Sequence, residues 1–156
     1  MRAILMQAKR FGFTPVRQEI KEAELTIKGE KVDIGRSLVV FLAVEEDDDE
    51  VKAVLMASQV ASDAKEIGEN KIVIYPFVHL TEKPLEPSKS IELIKKVATT
   101  LRGEGFEVRR APFGWTKGFY IEVMSHPLAE RGVRIRELPL EVQPGARSRQ
   151  DRLKLA

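Results

Sequence analysis

The chain contains no cysteine and only two histidines among its 156 residues. The missing thiols exclude disulfide bonds, thiolate metal sites and a cysteine nucleophile, and two histidines supply too few nitrogen ligands for a structural zinc site. No apolar run approaches the roughly 20 residues of a membrane-spanning helix, and the first ten residues lack the apolar segment of a signal peptide. These absences predict a cytoplasmic protein with no membrane partner.

The remaining composition is that of one globular domain. Hydrophobic residues make up 43% and charged residues 32% of the chain, which excludes a fibrous or disordered polypeptide. About 100–200 residues is the usual length of one domain, and a chain of this size buries roughly 68–70% of the surface that it exposes when unfolded. We therefore expect a hydrophobic core that needs no covalent cross-links.

The charges are distributed unevenly, although the formal net charge is only +2. Residues 1–78 carry 11 basic and 14 acidic side chains, whereas residues 79–156 carry 15 basic and 10 acidic ones. Basic side chains that neutralise phosphates release counterions, so the second half favours a polyanionic partner. Charge patterning alone is explained more simply by a solvated surface, so both interpretations stay open.

Hydrophobic periodicity predicts three strands followed by a helix in the first half of the chain. The strands are expected at residues 2–7, 19–27 and 37–44, with a glycine- and proline-containing stretch after the first and a bulge in the second. Asp48 or Asp49 is the expected N-cap of the helix, which runs to about Ile67 and ends at Gly68.

The second half is predicted to add a strand, a helix and two further strands. Residues 71–78 form the first of these strands, in which Pro76 indicates an edge position or a bulge. The helix is expected to begin at Ser88 or Ser90 and to end at Gly103 and Gly105, and the last two strands cover residues 106–110 and 117–124.

This order of elements predicts an α/β fold, in which a mixed β-sheet is covered by two main helices. Residues 139–156 are rich in arginine and poor in apolar side chains. We expect them to form a linker or flexible basic tail after a domain of residues 1–138.

Few side chains suited to catalysis are present, and most familiar motifs are absent. No Gly-x-Ser-x-Gly elbow and no phosphate-binding glycine loop occur, and the acidic run at residues 45–50 lacks the glycine and spacing of a calcium loop. The strand at residues 71–78 does deliver Tyr75, Phe77 and then His79 at its carboxyl end, where α/β sheets place their ligands. A lone histidine there is more often structural than catalytic.

The segment Ala-Pro-Phe-Gly-Trp-Thr-Lys at residues 111–117 is the most unusual part of the chain. It joins a turn, the only tryptophan and Lys117. Aromatic rings beside a lysine suit an adenine ring with a nearby phosphate or ester oxygen. An equally good interpretation is a turn whose Phe113 and Trp115 plug one end of the core. His126 and Glu130 follow the last predicted strand, and a structural role is favoured for His126 because the proline after it holds it extended.

Together, three motifs resemble those of the archaeal threonyl-tRNA synthetase N-terminal editing domain. They are Tyr-Pro-Phe-Val-His-Leu at residues 75–80, Ala-Pro-Phe-Gly-Trp-Thr-Lys at 111–117 and His-Pro-Leu-Ala-Glu at 126–130. The resemblance covers roughly residues 1–135 and implies a D-aminoacyl-tRNA deacylase-like fold. It also implies a proofreading hydrolase that deacylates L-seryl-tRNA(Thr). This chain has Trp115-Thr116 where the family pattern has two tyrosines.

The same resemblance implies the site and the partners. Lys117, His79 and Glu130 would be catalytic: the first two line the seryl pocket, Lys117 positions the substrate or the attacking water, and Glu130 helps to hold that arrangement. The implied substrate-binding residues are Tyr75, Pro76, Phe77, Val78, Pro112, Phe113, Gly114, Trp115, Thr116 and Glu45. The resemblance also implies that no metal or cofactor is used and that the reaction relies partly on the ribose 2′-hydroxyl of the last nucleotide of the tRNA. The implied partners are the tRNA(Thr) acceptor end with its 3′-terminal adenosine, the catalytic part of threonyl-tRNA synthetase and a second copy of the chain.

Two other functions stay open. One is a D-aminoacyl-tRNA deacylase on the shared fold, and the other is a non-catalytic module that binds the tRNA acceptor end or another adenosine-containing ligand. A chain of 156 residues has no room for an aminoacylation core beside this domain, so we expect no charging of tRNA by this chain alone.

Overall fold

The computed structural model describes residues 1–136, and within them one curled, mixed sheet carries two helices. The elements, in chain order, are β1 (Arg2–Gln18), β2 (Val32–Asp33), β3 (Ser37–Ala43), α1 (Glu50–Glu66), β4 (Lys71–Pro76), a 3₁₀ turn (Val78–Leu80), α2 (Pro87–Gly103), β5 (Glu107–Arg110), β6 (Trp115–Val123) and β7 (Glu130–Arg134). The predicted α/β class and mixed sheet are confirmed. The predicted tail at residues 139–156 lies outside the described residues.

The sheet is organised around the long strand β1. The strand order is β2-β1-β3-β4-β5, in which β1 and β3 are antiparallel and β3, β4 and β5 are parallel. β7 pairs with the first part of β1, from Arg2↔Arg134 to Met6↔Glu130. β6 pairs with the rest of β1, ending with Gln18 opposite Trp115. The carboxyl ends of β3, β4 and β5 consequently meet at one edge.

β1 is longer than its sequence pattern indicates, and the expected break after residue 7 was wrong. The register against β6 shifts between Ala8 and Arg10 and again between Pro15 and Arg17, and such bulges bend a strand without ending it. The Tyr120 ring packs over Gly12, where an added Cβ would lie 2.6 Å from ring atoms and would displace the ring. The bends let the second half of β1 curl over one face of the sheet.

Residues 19–27 are not a strand, which corrects the second expected strand. They form an irregular segment that lies against the turn before β6: the Glu19 backbone N–H donates to the Gly114 carbonyl at 2.9 Å, and that of Glu24 donates to the Phe113 carbonyl at 3.0 Å. Leu25 and Ile27 are exposed. Their alternation with polar residues therefore does not mark a buried face.

Both helices pack on the same face of the sheet. The core on that face joins Leu38, Val40, Ile72 and Ile74 of the strands to apolar residues of α1 and α2. The α1 boundaries are confirmed, because the Asp49 side chain accepts from the Lys52 N–H and Gly68 takes a positive φ of 71°.

The remaining differences between the predicted and the observed elements concern α2, β4 and two short strands. α2 begins at Pro87, with the Glu86 side chain as its cap, because a proline fits the first helical turn. β4 lies between β3 and β5 and is therefore not an edge strand. It ends at Pro76 rather than residue 78. β2 and β7 were not predicted.

No helix within residues 1–136 is both long and apolar enough to cross a membrane.

Candidate active site

The face of the sheet opposite the helices carries a cluster of aromatic rings, which we call the aromatic face. Its rings belong to Phe11, Phe13, Phe41, Tyr75, Phe77 and Phe119. The centroid of the Tyr75 ring lies 5.3 Å from that of Phe41 and 5.4 Å from that of Phe119, within the range of favourable aromatic contacts. Phe119 is 44% exposed, so the face reaches solvent at β6.

Lys117 lies against this face beside the carboxyl end of β4. Its Nζ donates to the carbonyl oxygens of Pro112 at 2.8 Å and Trp115 at 3.1 Å, and lies 4.9 Å from the centroid of the Tyr75 ring. Burial lowers the pKa of Lys117 to about 8, against a smaller opposing effect of the Glu24 charge. The amine therefore changes its charge close to neutral pH, which is unusual for a lysine.

The turn that supplies these two carbonyls has a fixed shape. Gly114 has a φ of 88°, which favours glycine, and an added Cβ would lie 2.8 Å from Cα of Ala23. Residues 19–24 thus press against the turn from outside. The position of the Lys117 ammonium depends on this contact between two irregular segments.

Glu24 is an acidic residue that contacts this turn, and no sequence motif pointed to it. Its carboxylate accepts two hydrogen bonds from Arg110, at 2.9 and 2.7 Å, and a third from the Phe113 backbone N–H at 3.0 Å. Burial acts to raise the pKa of Glu24, but these hydrogen bonds and the charges of Arg110 and Lys95 hold it below its ordinary value. No sequence signal distinguished Glu24, because it lay inside a misassigned strand.

Phe113, Trp115 and Thr116 are engaged in contacts within the chain. Phe113 packs at the margin of the core beneath the helices, and the Trp115 indole N–H donates to the Glu24 carbonyl at 2.8 Å. Thr116 is exposed, and its hydroxyl donates to the Glu19 carboxylate. Phe113 is therefore packed against the core and the Trp115 ring is held by its hydrogen bond, whereas Phe119 is an accessible ring of the aromatic face.

His79 and Glu45 lie together at a neighbouring groove of about 680 Å³. His79 is exposed on the 3₁₀ turn, with its ring 5.3 Å from that of Phe77. The Glu45 carboxylate accepts from the N-terminal ammonium at 3.0 Å and from the Thr81 hydroxyl at 2.8 Å. Burial acts to raise the pKa of Glu45, but these donors lower it overall. Glu45 is thus an ionised carboxylate held by this chain's own donors.

The groove continues the aromatic face, because ring contacts connect the two. The Phe77 ring lies 5.5 Å from Phe41, which contacts Tyr75 beside Lys117. The groove is lined by side chains of both charges, and its acidic residues are Glu45, Glu46, Asp47 and Glu82. Its basic residues are Arg2, Lys52, Lys83, Arg134 and Arg136. Val78, which is 48% exposed, and Pro76 lie between the groove and Tyr75 along the chain.

Glu130 lies away from the other two expected catalytic residues, which corrects its assigned role within this chain. It is exposed on β7 opposite Met6, and β7 is separated from β4 by β1 and β3. Lys117 pairs with Pro15 of β1, nine residues along that strand from Met6, and at about 3.3 Å per residue the two positions are up to roughly 30 Å apart along the strand. A direct hydrogen bond to the Lys117 arrangement is therefore excluded within one chain.

His126 belongs to a polar network at the opposite end of the parallel strands. Its Nε2 contacts the side-chain oxygen of Gln7, whose amide donates to Glu69 at 2.7 Å. Arg36 also contacts the Glu69 carboxylate, at 3.2 Å. This network ties the loop before β7 to the sheet, as the structural interpretation of His126 requires. Among residues 1–136, no three His, Asp or Glu side chains are grouped to hold a metal ion.

Comparison with solved structures defines the class of fold. A c-Myc DNA unwinding element binding protein superposes with a TM-score of 0.66 at 12% identity, covering 87% of this chain and 99% of the other. A probable eukaryotic D-amino acid tRNA deacylase superposes with a TM-score of 0.60 at 11% identity, covering 85% and 98%. The fold is therefore D-aminoacyl-tRNA deacylase-like.

Sequence comparison identifies the family within that class. Residues 1–135 match the archaea-specific editing domain of threonyl-tRNA synthetase, and the chain belongs to this family. It is 36% identical over 148 residues to a threonine–tRNA ligase of Nanoarchaeum equitans and 37% identical over 130 residues to that of Cenarchaeum symbiosum. These matches cover 93% and 83% of this chain but only 23% and 20% of the ligases.

Proposed function

We propose that this chain edits tRNA by hydrolysing the ester bond of L-seryl-tRNA(Thr), in the cytoplasm. The observation that carries the proposal is the partly buried Lys117 ammonium, held by two carbonyls against an aromatic face, in a chain of the editing-domain family. The oxygen of a water molecule bonds to the ester carbonyl carbon and the bond from that carbon to the ribose oxygen breaks. One proton of the water passes to the ribose oxygen, and free serine and tRNA(Thr) leave.

The need for such an activity follows from the size of a methyl group. Threonine and serine differ by one methyl, and one methylene changes the binding free energy in a pocket by only about 1–3 kcal/mol. That difference limits discrimination at a single site to roughly 10–200-fold. A second site, which hydrolyses the wrong ester, raises the accuracy of tRNA(Thr) charging. It does so without stronger discrimination at the site that attaches the amino acid.

The geometry gives Lys117 a defined part in this reaction. An ammonium group has three hydrogens, and the carbonyls of Pro112 and Trp115 accept two of them. The third is left for the substrate, where it can stabilise the negative charge that develops on the ester oxygen. A neutral amine has only two hydrogens, so the reaction depends on the protonated form.

The aromatic face and the groove supply the binding surfaces. The terminal adenine stacks on the rings of Phe77 and Phe119, because base–aromatic stacking is worth roughly 1–3 kcal/mol per base. The basic side chains Arg2, Arg134 and Arg136 lie in the groove beside His79, where they contact the phosphates of the acceptor strand. His79 faces the seryl end at the junction of the two surfaces.

Deacylation rates of Lys117→Ala and His79→Ala test the site. With L-seryl-tRNA(Thr) in excess over the protein, each variant is expected to lose 10²-fold or more in rate, the range for groups acting directly on the transition state. Both should keep the wild-type circular dichroism spectrum. Rates of both variants equal to that of the wild type would refute the assignment, and stoichiometric binding without ester cleavage would favour the non-catalytic module.

We also propose that two copies of the chain associate and that the chain works with the catalytic part of a threonyl-tRNA synthetase. Large apolar side chains exposed outside the aromatic face support an association surface; among them are Tyr120 at 46% and Leu128 at 42%. Sedimentation equilibrium should give twice the 17.6 kDa of one chain. A monomer at all concentrations would contradict the dimer.

A further inference from the structure

Glu24 is connected to both sides of the turn that holds Lys117. Its carboxylate accepts from the Phe113 N–H, and its carbonyl accepts from the Trp115 indole. Its own N–H donates to the Phe113 carbonyl. These three hydrogen bonds come from positions immediately before and after Gly114. Together they fix the conformation of the turn on both sides of Gly114.

Arg110 completes the support from the other side. It is the last residue of β5 and forms two parallel hydrogen bonds with the Glu24 carboxylate. Its side chain is 19% exposed and that of Glu24 is 17% exposed, so solvent screens the pair only in part. A planar two-point contact of this kind holds an orientation that a single point charge does not.

The charged and titratable neighbours of this arrangement come from four elements. Tyr75 of β4 faces the Lys117 ammonium, Arg110 of β5 and Lys95 of α2 act on Glu24, and Glu24 acts on Lys117 through space. Glu24 is the carboxylate among them whose charge favours the protonated lysine. It opposes the effect of burial, which favours the neutral amine.

We propose that Glu24, fixed by Arg110, is the positioning residue of the Lys117 site: it holds the Pro112 and Trp115 carbonyls in place and keeps the ammonium charged. As a role in catalysis, this inference rests on the proposed function. As a statement about Lys117 itself, it is testable without any substrate.

The substrate-free test follows the Lys117 titration by NMR of ¹³C-labelled lysine in the full chain. In Glu24→Gln the Lys117 titration is expected to move to lower pH than in the wild type, where it lies at about 8. Glu22→Gln is the matched control, because Glu22 lies in the same segment and has no ion pair among residues 1–136. An unchanged Lys117 titration in Glu24→Gln, or an equal shift in Glu22→Gln, would overturn the proposal.

The catalytic test measures deacylation by the same variants. Glu24→Gln should lower kcat by about 10–100-fold with little change in KM, and its pH profile should move with the Lys117 titration. Glu22→Gln should match the wild type. If no protein deacylates the substrate but the Lys117 titration still moves, the proposed function fails and the positioning role of Glu24 stands. A lowered kcat with an unmoved pH profile would reduce Glu24 to a structural residue.

A second variant covers the case in which Glu24→Gln does not fold. Arg110→Lys keeps both charges but loses the two parallel hydrogen bonds. The expected result is faster hydrogen exchange at the Phe113 amide and a lower kcat. Wild-type exchange at Phe113 would overturn the proposal.

Discussion

At the scale of single residues, Lys117 stands out among residues 1–136 for its strongly lowered pKa. Its amine is held by two carbonyls against an aromatic ring, and burial lowers its pKa from 10.5 to about 8. Burying an ammonium costs folding free energy, and strongly shifted pKa values cluster at functional sites. The sequence indicated Lys117 through a motif. The pairing of Glu24 with Arg110 was visible only in the structure, because residues 86 positions apart leave no local pattern in a sequence.

The first residue-scale prediction concerns activity and pH. Because the protonated amine is the proposed donor, kcat/KM for seryl-tRNA, corrected for uncatalysed hydrolysis, should fall as pH rises through about 8. Deacylation assays between pH 6 and pH 9.5 provide the measurement. A catalysed rate that keeps rising above pH 8 would indicate instead that the neutral amine acts as a base.

The second residue-scale prediction concerns how the free energy of unfolding depends on pH. The folded-state pKa of Lys117 is below its unfolded value, so the unfolded chain binds more protons between about pH 8 and 10.5. The free energy of unfolding of the wild type should therefore rise relative to Lys117→Met across that window, by at most about 3 kcal/mol. Urea unfolding of both proteins at pH 7 and pH 10 measures it, and a constant difference would contradict the buried ammonium.

At the scale of elements, the helices and strands that the sequence predicts correctly are those marked by one strong local signal. The boundaries of α1 follow from Asp49 as its cap and Gly68 after its end, and β3 from a continuous apolar run. The conformations of β1 and of residues 19–27 do not follow from local patterns, because they depend on segments that are distant in sequence. Gly12 and Pro15 look like breaks in the sequence, yet β6 pairs with β1 across both.

The element-scale prediction concerns the turn before β6. Gly114→Ala places a Cβ 2.8 Å from Cα of Ala23 at a φ of 88°, so it should destabilise the fold by about 1–3 kcal/mol and slow deacylation. Gly118→Ala is the control, because an added Cβ there has no atom within 4 Å and φ is not positive. Chemical denaturation should show the loss in the first variant; equal unfolding free energies for both variants would show that the turn adapts freely.

At the scale of the whole molecule, one edge of the sheet brings the candidate surfaces together. β4 delivers Tyr75 and then His79, β5 delivers Arg110, and the curl of β1 brings β6 with Lys117 over the same face. The sequence motifs predicted His79 and Lys117, and the carboxyl edge predicted where His79 would lie. The separation of Glu130 was not predictable, because β7 pairs with β1 rather than with its neighbours in sequence.

A prediction at this scale concerns the salt dependence of RNA binding. If Arg134 and Arg136 contact phosphates in the groove, replacing both by Gln should weaken binding of tRNA(Thr) and reduce the slope of log K against log salt by about 2. Lys96→Gln, on the exposed side of α2, should leave the slope close to that of the wild type. Fluorescence titrations at several salt concentrations measure it, and equal slopes for all three proteins would contradict the proposed path of the acceptor strand.

The most direct test of the proposed function compares three esters of the same tRNA(Thr): L-seryl, D-seryl and L-threonyl. Single-turnover hydrolysis by the wild-type chain should be fastest for L-seryl-tRNA(Thr) and should fall 10²-fold or more in Lys117→Ala. Preferential hydrolysis of the D-seryl ester would identify a D-aminoacyl-tRNA deacylase instead, and an L-seryl rate that is unaffected by Lys117→Ala would contradict the account of the site.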